Sequence, residues 1–157
     1  MPSVNPANDY NQRNRESLES LRACLARLGE DDFITLIDEE WTIGATLAHL
    51  AFWDRRALTL IEIWSTSGVR VIPANADAIN ADQLPEWLGM PGGEAAASVL
   101  EVGAALNARI ATLPAKLVAE IRAVSPRTLD RSLHRQDHQA QIEETLRRAS
   151  TSQDDDD

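Results

Sequence analysis

Trp41-Thr42-Ile43-Gly44-Ala45-Thr46-Leu47-Ala48-His49-Leu50-Ala51-Phe52-Trp53-Asp54-Arg55-Arg56-Ala57-Leu58-Thr59-Leu60-Ile61-Glu62-Ile63-Trp64 is the stretch whose periodicity decides the fold class. Thr42 is an N-cap residue type placed just ahead of an apolar run. At 100° per residue Ile43, Leu47, Leu50, Ala57, Leu58 and Ile61 share one face, and the arc widens to take in Trp53, Leu60 and Trp64. Such a face belongs to a long amphipathic helix, which Thr66-Ser67-Gly68 ends.

The same period recurs on both sides. Leu18, Leu21, Leu25 and Leu28 predict a helix over 9–28, with Gly29 as its C-cap. A connector over 31–40 carries apolar anchors at Phe33, Leu36 and Ile37. Residues 68–92 are rich in Gly and Pro and read as a long crossover with one short helix over 76–87. A third long helix covers 93–113 until Pro114 interrupts it, and Leu117, Ile121 and Val124 mark a short one. Ser125-Pro126 breaks again. The last helix spans 131–149 on a face of His134, His138, Ile142, Thr145 and Ala149, ahead of a frayed polar tail over 150–157. With no alternating run longer than Val69-Arg70-Val71-Ile72, the expectation is a single all-α domain: a four-helix bundle with an extended crossover between its second and third helices.

The chain has 157 residues, enough for one domain with a core of its own. Its 43% hydrophobic content argues against wholesale disorder. Fifteen basic against 25 acidic residues give a net charge of −10, which repels phosphate backbones, so no nucleic-acid partner is expected. One cysteine, Cys24, excludes an internal disulfide and reads as a small core filler. The first residues carry no signal-peptide pattern, and no apolar run is long enough to span a membrane. A cytoplasmic protein is the expectation.

Three histidines carry the chemistry. His134 and His138 are four apart on one helix and project from the same side one turn apart, a spacing at which two imidazoles reach one metal ion. His49 lies about 120° from the centre of its helix's apolar arc, beside Trp53 and Leu60, where a side chain lines a pocket mouth. Three neutral imidazoles on two helices make a His₃ site, and three protein ligands leave coordination positions open, as catalytic sites do. The bland alternative is two surface histidines and one half-buried one. Against it, His134 and His138 sit at the centre of their helix's expected buried face, where unpartnered imidazoles cost hydrogen-bond energy. His-Glu-x-x-His is absent, because Arg135 holds the glutamate's place. His134-Arg135-Gln136-Asp137-His138 echoes the inverted zinc-protease motif with Asp for Glu, but too few residues follow for its third ligand.

Asp54 falls inside the apolar arc, between Leu47 and Ile61. It either orients a ligand histidine or serves as a general base, or else pairs with Arg13, Arg15 or Arg109. Trp41 and Trp53 either wall a pocket or pack the core. Asn80 is a turn former or a pocket hydrogen-bonder.

The segment from Trp41 to Asp54, with its Trp-Thr start and His49-Leu50 pair, resembles the second-helix signature of the DinB/YfiT-like metalloenzyme superfamily. Ile79-Asn80 and the His134-x-x-x-His138 pair followed by Ile142 are similar to that family too. The resemblance covers most of residues 8–150. It implies an up-down-down-up four-helix bundle and a divalent metal, zinc or nickel, on His49, His134 and His138. It also implies a homodimer. The activities it implies are thiol S-transfer or isomerisation with a low-molecular-weight thiol such as mycothiol, bacillithiol or glutathione. On that reading the metal activates the thiol against an electrophilic small molecule, Asp54 assists, and Trp53 and Asn80 shape the pocket. The alternatives are a hydrolase using metal-activated water and a non-catalytic metal-binding or stress-response module.

Overall fold

The computed structural model describes residues 9–154. Among them the chain is all-helical, with no strand beyond an isolated bridge between Leu36 and Thr42. The helices are α1 (Tyr10–Leu25), α2 (Glu30–Phe33), α3 (Ile43–Ser67), α4 (Ala76–Gly89), α5 (Gly92–Ala111), α6 (Ala115–Val124), α7 (Pro126–Leu129) and α8 (Ser132–Asp154). The first residues, read above for a signal peptide, and the last three aspartates lie outside the described residues.

The helix ends follow from local chemistry. Thr42 caps α3, its hydroxyl accepting from the Ala45 N–H at 3.0 Å. Gly68 ends α3 at φ 87°, a conformation that costs an L side chain but not glycine. Asn75 caps α4 by accepting from the Ala78 N–H. Pro126 opens α7 at a position where the missing N–H costs nothing. Two expectations need correcting. Gly29 does not end α1, which stops at Leu25; it caps α2, donating its N–H to Asp32 Oδ2 at 2.8 Å. The last helix does not fray at residue 149 but continues to Asp154.

Four of the helices pack in a closed order: α3 on α5, α5 on α1, α1 on α8, and α8 back on α3, the last contact being sparse. α4 lies along α3. The interior divides into two apolar clusters. One gathers Leu21, Leu47, Leu50, Trp87, Val99 and Ile142; the other gathers Tyr10, Ile61, Trp64, Leu106, Ile110 and Leu129. Between them runs a buried polar layer of Asn14, Ser17, Asp54 and Arg135. Of the expected connector anchors, Phe33 is buried and Ile37 partly so, but Leu36 is exposed. Among the described residues no single helix is long and apolar enough to cross a membrane.

α2 is placed by a close approach. A Cβ on Gly92 would overlap the Cβ and Cγ of Phe33, whereas one on Gly93 would meet nothing. Gly92→Ala should therefore lower stability by ~1–3 kcal/mol through overpacking. Gly93→Ala, one residue on, should be neutral or mildly stabilising. Urea unfolding of the two variants checks this, and equal midpoints would remove the Phe33 contact as the reason for the glycine.

Candidate metal centre

α3 presents His49 and, one turn on, Trp53; α4 presents Asn80; α8 presents His134 and His138. The structure brings the three histidines together. One nitrogen from each lies within 4.8 Å of the other two, a set that can hold a metal ion. His49 Nε2 and His134 Nε2 are 3.2 Å apart. Nitrogens sharing a tetrahedral zinc at ordinary bond lengths stand about 3.4 Å apart, so this pair is already at the required spacing.

Hydrogen bonds orient the rings. Asn80 Oδ1 accepts from Trp53 Nε1 at 2.9 Å and, at 3.2 Å, from His49 Nδ1. We assign the His49 proton to Nδ1 on that ground, which leaves Nε2 bare and turned to the other rings. Gln141 Oε1 accepts from His138 Nδ1 at 2.9 Å, with the same consequence for His138. His134 differs. Its Nδ1 faces Arg131 Nη2 at 3.5 Å, and its Nε2 donates to the bare His49 Nε2. A proton thus occupies the place that an ion would take, and the donor set fits a divalent metal once that proton leaves.

Surroundings keep the rings neutral. His49 is buried against Trp41 and Trp87, whose rings stand edge-on to it at 5.4 Å each and 5.7 Å from one another. Burial, helped by charge on His138, lowers its pKa to about 4. Burial and then the Arg131 cation lower that of His134 to about 2. Burial also lowers His138. A metal would therefore meet few competing protons at neutral pH.

Two cavities meet at the triad. The larger, about 590 Å³, reaches His49 and His134 and has Trp53, Ala76, Asn80 and Arg131 in its walls. The smaller, about 280 Å³, reaches His49 and His138 past Trp41 and Thr46. Both are open to solvent, so the triad is reachable from two sides.

Several sequence readings change. His134 and His138 are half-buried on the shoulder of α8, not at the centre of its buried face. That centre is Ser132, Arg135, Ile142 and Thr145, and Ala149 is exposed. Asp54 is an ion-pair residue, but with other partners: Oδ1 accepts from Arg131 Nε at 2.9 Å and Oδ2 from Arg135 Nη2 at 3.1 Å. Arg13 instead pairs with Asp130, and Arg109 with Glu62. Asp54 is 1% exposed and lines neither cavity, so it reaches His134 only through Arg131. Cys24 is buried, and burial pushes its thiol pKa up, which suits a core filler. The sequence reading gave no site role to Arg131, Arg135 or Gln141. The available signal was Asp54 itself, since a carboxylate in an apolar arc requires a cation from a facing helix. No protein-family model, curated protein or solved structure matches the chain.

The depressed histidines set a pH dependence. Between pH 6.5 and about 4 the unfolded chain binds a proton at His49 that the folded chain refuses, so acid favours unfolding. Stability from this source is complete above neutrality and drains as pH falls toward 4, by about 1–2 kcal/mol between pH 7 and 5. His134 and His138 act in the same direction. Urea midpoints of metal-free protein should fall over that range, and His49→Gln should flatten the fall. Parallel pH profiles for the two proteins would refute this origin.

Proposed function

We propose that the chain is a divalent-metal-dependent enzyme of the DinB/YfiT-like kind. Its reaction is transfer of a low-molecular-weight thiol to an electrophilic small molecule. The observation that carries the reading is the convergence of three neutral imidazoles, from helices far apart in sequence, at the meeting point of two solvent-open cavities. The closed packing order of α1, α3, α5 and α8 supports a four-helix bundle of the kind that the resemblance implies.

His49, His134 and His138 would hold the ion. Zinc and nickel both suit imidazole ligands. When bound, it supplies a Lewis acid that lowers the pKa of a thiol near neutrality. The chain's own residues do the rest. Asn80 fixes the His49 tautomer so that Nε2 keeps its lone pair, and Trp53 holds Asn80 in place. Trp41 and Trp87 shield the buried side of His49 from water. The larger cavity falls in the size range of small-molecule sites. Its two-sided access suits a reaction of two components, one approaching past His134 and the other past His138.

Metal analysis and titration of tag-free protein test the reading. One zinc or nickel per chain is expected. His134→Ala should weaken binding at least ~10-fold, and Asn80→Ala, which removes the tautomer lock, about 10-fold. With cobalt as a spectroscopic substitute, glutathione should produce a sulfur-to-cobalt absorption band. Sub-stoichiometric metal that added ion cannot raise would overturn the metal centre; metal uptake without the sulfur band would overturn the thiol chemistry alone.

A further inference from the structure

The larger cavity carries a charge arrangement that the metal reading does not use. Asp54 is one carboxylate shared by two guanidinium groups, Arg131 and Arg135, so this buried cluster holds one more positive charge than negative. Arg135 is 1% exposed and fully enclosed. Arg131 lines the cavity. Its Nε is committed to Asp54, and its Nη1 donates to the Arg127 carbonyl at 3.2 Å. Its Nη2 has only the long 3.5 Å contact with His134. A guanidinium carries five N–H donors, so Arg131 is held rigidly by two bonds while donor capacity remains on its cavity side.

Other charges in the walls sharpen this. Arg127, exposed at the rim, has no ion pair among the described residues. Asp130 is committed to Arg13 and to the N–H and hydroxyl of Ser132. Burial pushes its carboxyl up, but those partners outweigh burial and hold it below its ordinary value, so it stays an engaged anion. Asp137, exposed, is the one carboxylate in these walls without an ion pair among the described residues. Apart from His49, Asn80 and His134 at the metal end, the remaining walls are apolar, from Trp53, Ala76, Pro126 and Leu133.

We propose that this cavity takes a small amphipathic organic anion, its carboxylate or phosphate forked by Arg131 and Arg127 and its apolar part against Trp53 and Leu133. The role of that anion as a reactant rests on the metal-centre reading above; its binding does not. Fixed donors beside an apolar wall cost little reorganisation, which is why such forks select planar oxyanions over neutral isosteres.

Calorimetry with benzoate, phenylphosphonate and neutral benzamide, on zinc-loaded and on chelator-treated protein, tests this. At least one of the two anions should bind in both forms, and benzamide should bind at least ~10-fold more weakly. Which anion binds more tightly tells a carboxylate site from a phosphate site. Arg127→Ala should weaken the anion about threefold, as an exposed partner does, and Asp137→Asn should tighten it by a similar factor. Arg131→Lys, which keeps the charge but loses the fork, should weaken it about 10-fold. Arg127 and Asp137 are exposed, so their variants keep the test usable if Arg131→Lys does not fold. Equal binding of benzoate and benzamide would overturn the proposal. So would anion binding that needs zinc and ignores Arg127→Ala, since the anion would then be a ligand of the ion alone. Anion selectivity in a chain that takes up no zinc would leave this pocket standing and remove the metal centre.

Discussion

A carboxylate with 1% exposure, inside a helix whose neighbouring turns are apolar, must be paired or neutralised, and the pairing of Asp54 governs much of this molecule. Its two oxygens take one guanidinium each, and both guanidinium groups come from α8. Arg135 goes on to donate to the Asn14 carbonyl and to Asn107 Oδ1 at about 3 Å, so α1, α3, α5 and α8 meet in one hydrogen-bonded layer. Loss of the carboxylate would leave two buried cations opposed, so the layer fixes which turn of α8 faces which turn of α3. That register is what brings His134, one residue before Arg135, level with His49.

The same layer explains the state of the histidines. Arg131 and Arg135 are not both neutralised by a single Asp54, and their excess charge falls on the nearest titratable groups. His134 feels Arg131 and Arg135 directly, and it is the most strongly depressed of the three. Burial supplies the largest share and the Arg131 cation the next. An imidazole refused a proton in this way keeps a lone pair available at neutral pH, so an ion-pair network that looks structural also prepares a ligand set.

Much of the fold was legible because the long helices announce themselves twice, by apolar period and by end chemistry. Thr42 and Gly68 bracket α3, and the Leu18–Leu21–Leu25 stripe marks α1. Extending that stripe back by one turn and then two gives Asn14 and Tyr10, both buried, so one of the four residues of the polar layer was visible as a polar residue at a core position. α2 and α7 were not legible, since four residues are too few for a period to show. Neither was the true face of α8. Ile142 and Thr145 fit a stripe through His138 as well as one through Arg135, and arginine is so rarely buried that the histidine stripe looked the better candidate. The spacing of four joined His134 to His138, but nothing local could show that Trp41 and Trp87 would pack together against His49.

The position of the triad in the ring of helices follows from the spacing of the backbones. α3 packs closely along α5, where a Cβ on Gly44 would come within 3.7 Å of the Gly92 Cα, but α3 and α8 approach each other at few points. What crosses that wider seam is a set of long or ring-bearing polar side chains: Arg131 and Arg135 to Asp54, and His134 to His49. A seam bridged by side chains instead of interdigitated backbones leaves room for cavities, and both cavities at the triad open there. It is also the sparsest of the four contacts in the ring, so a ligand that joins the two sides adds cohesion where the packing supplies little. Binding to the folded chain alone stabilises it by mass action, and an ion shared by His49 on α3 and by His134 and His138 on α8 would act across this seam. Access and stabilisation therefore have one structural origin, the distance that Asp54 and its two arginines are long enough to span.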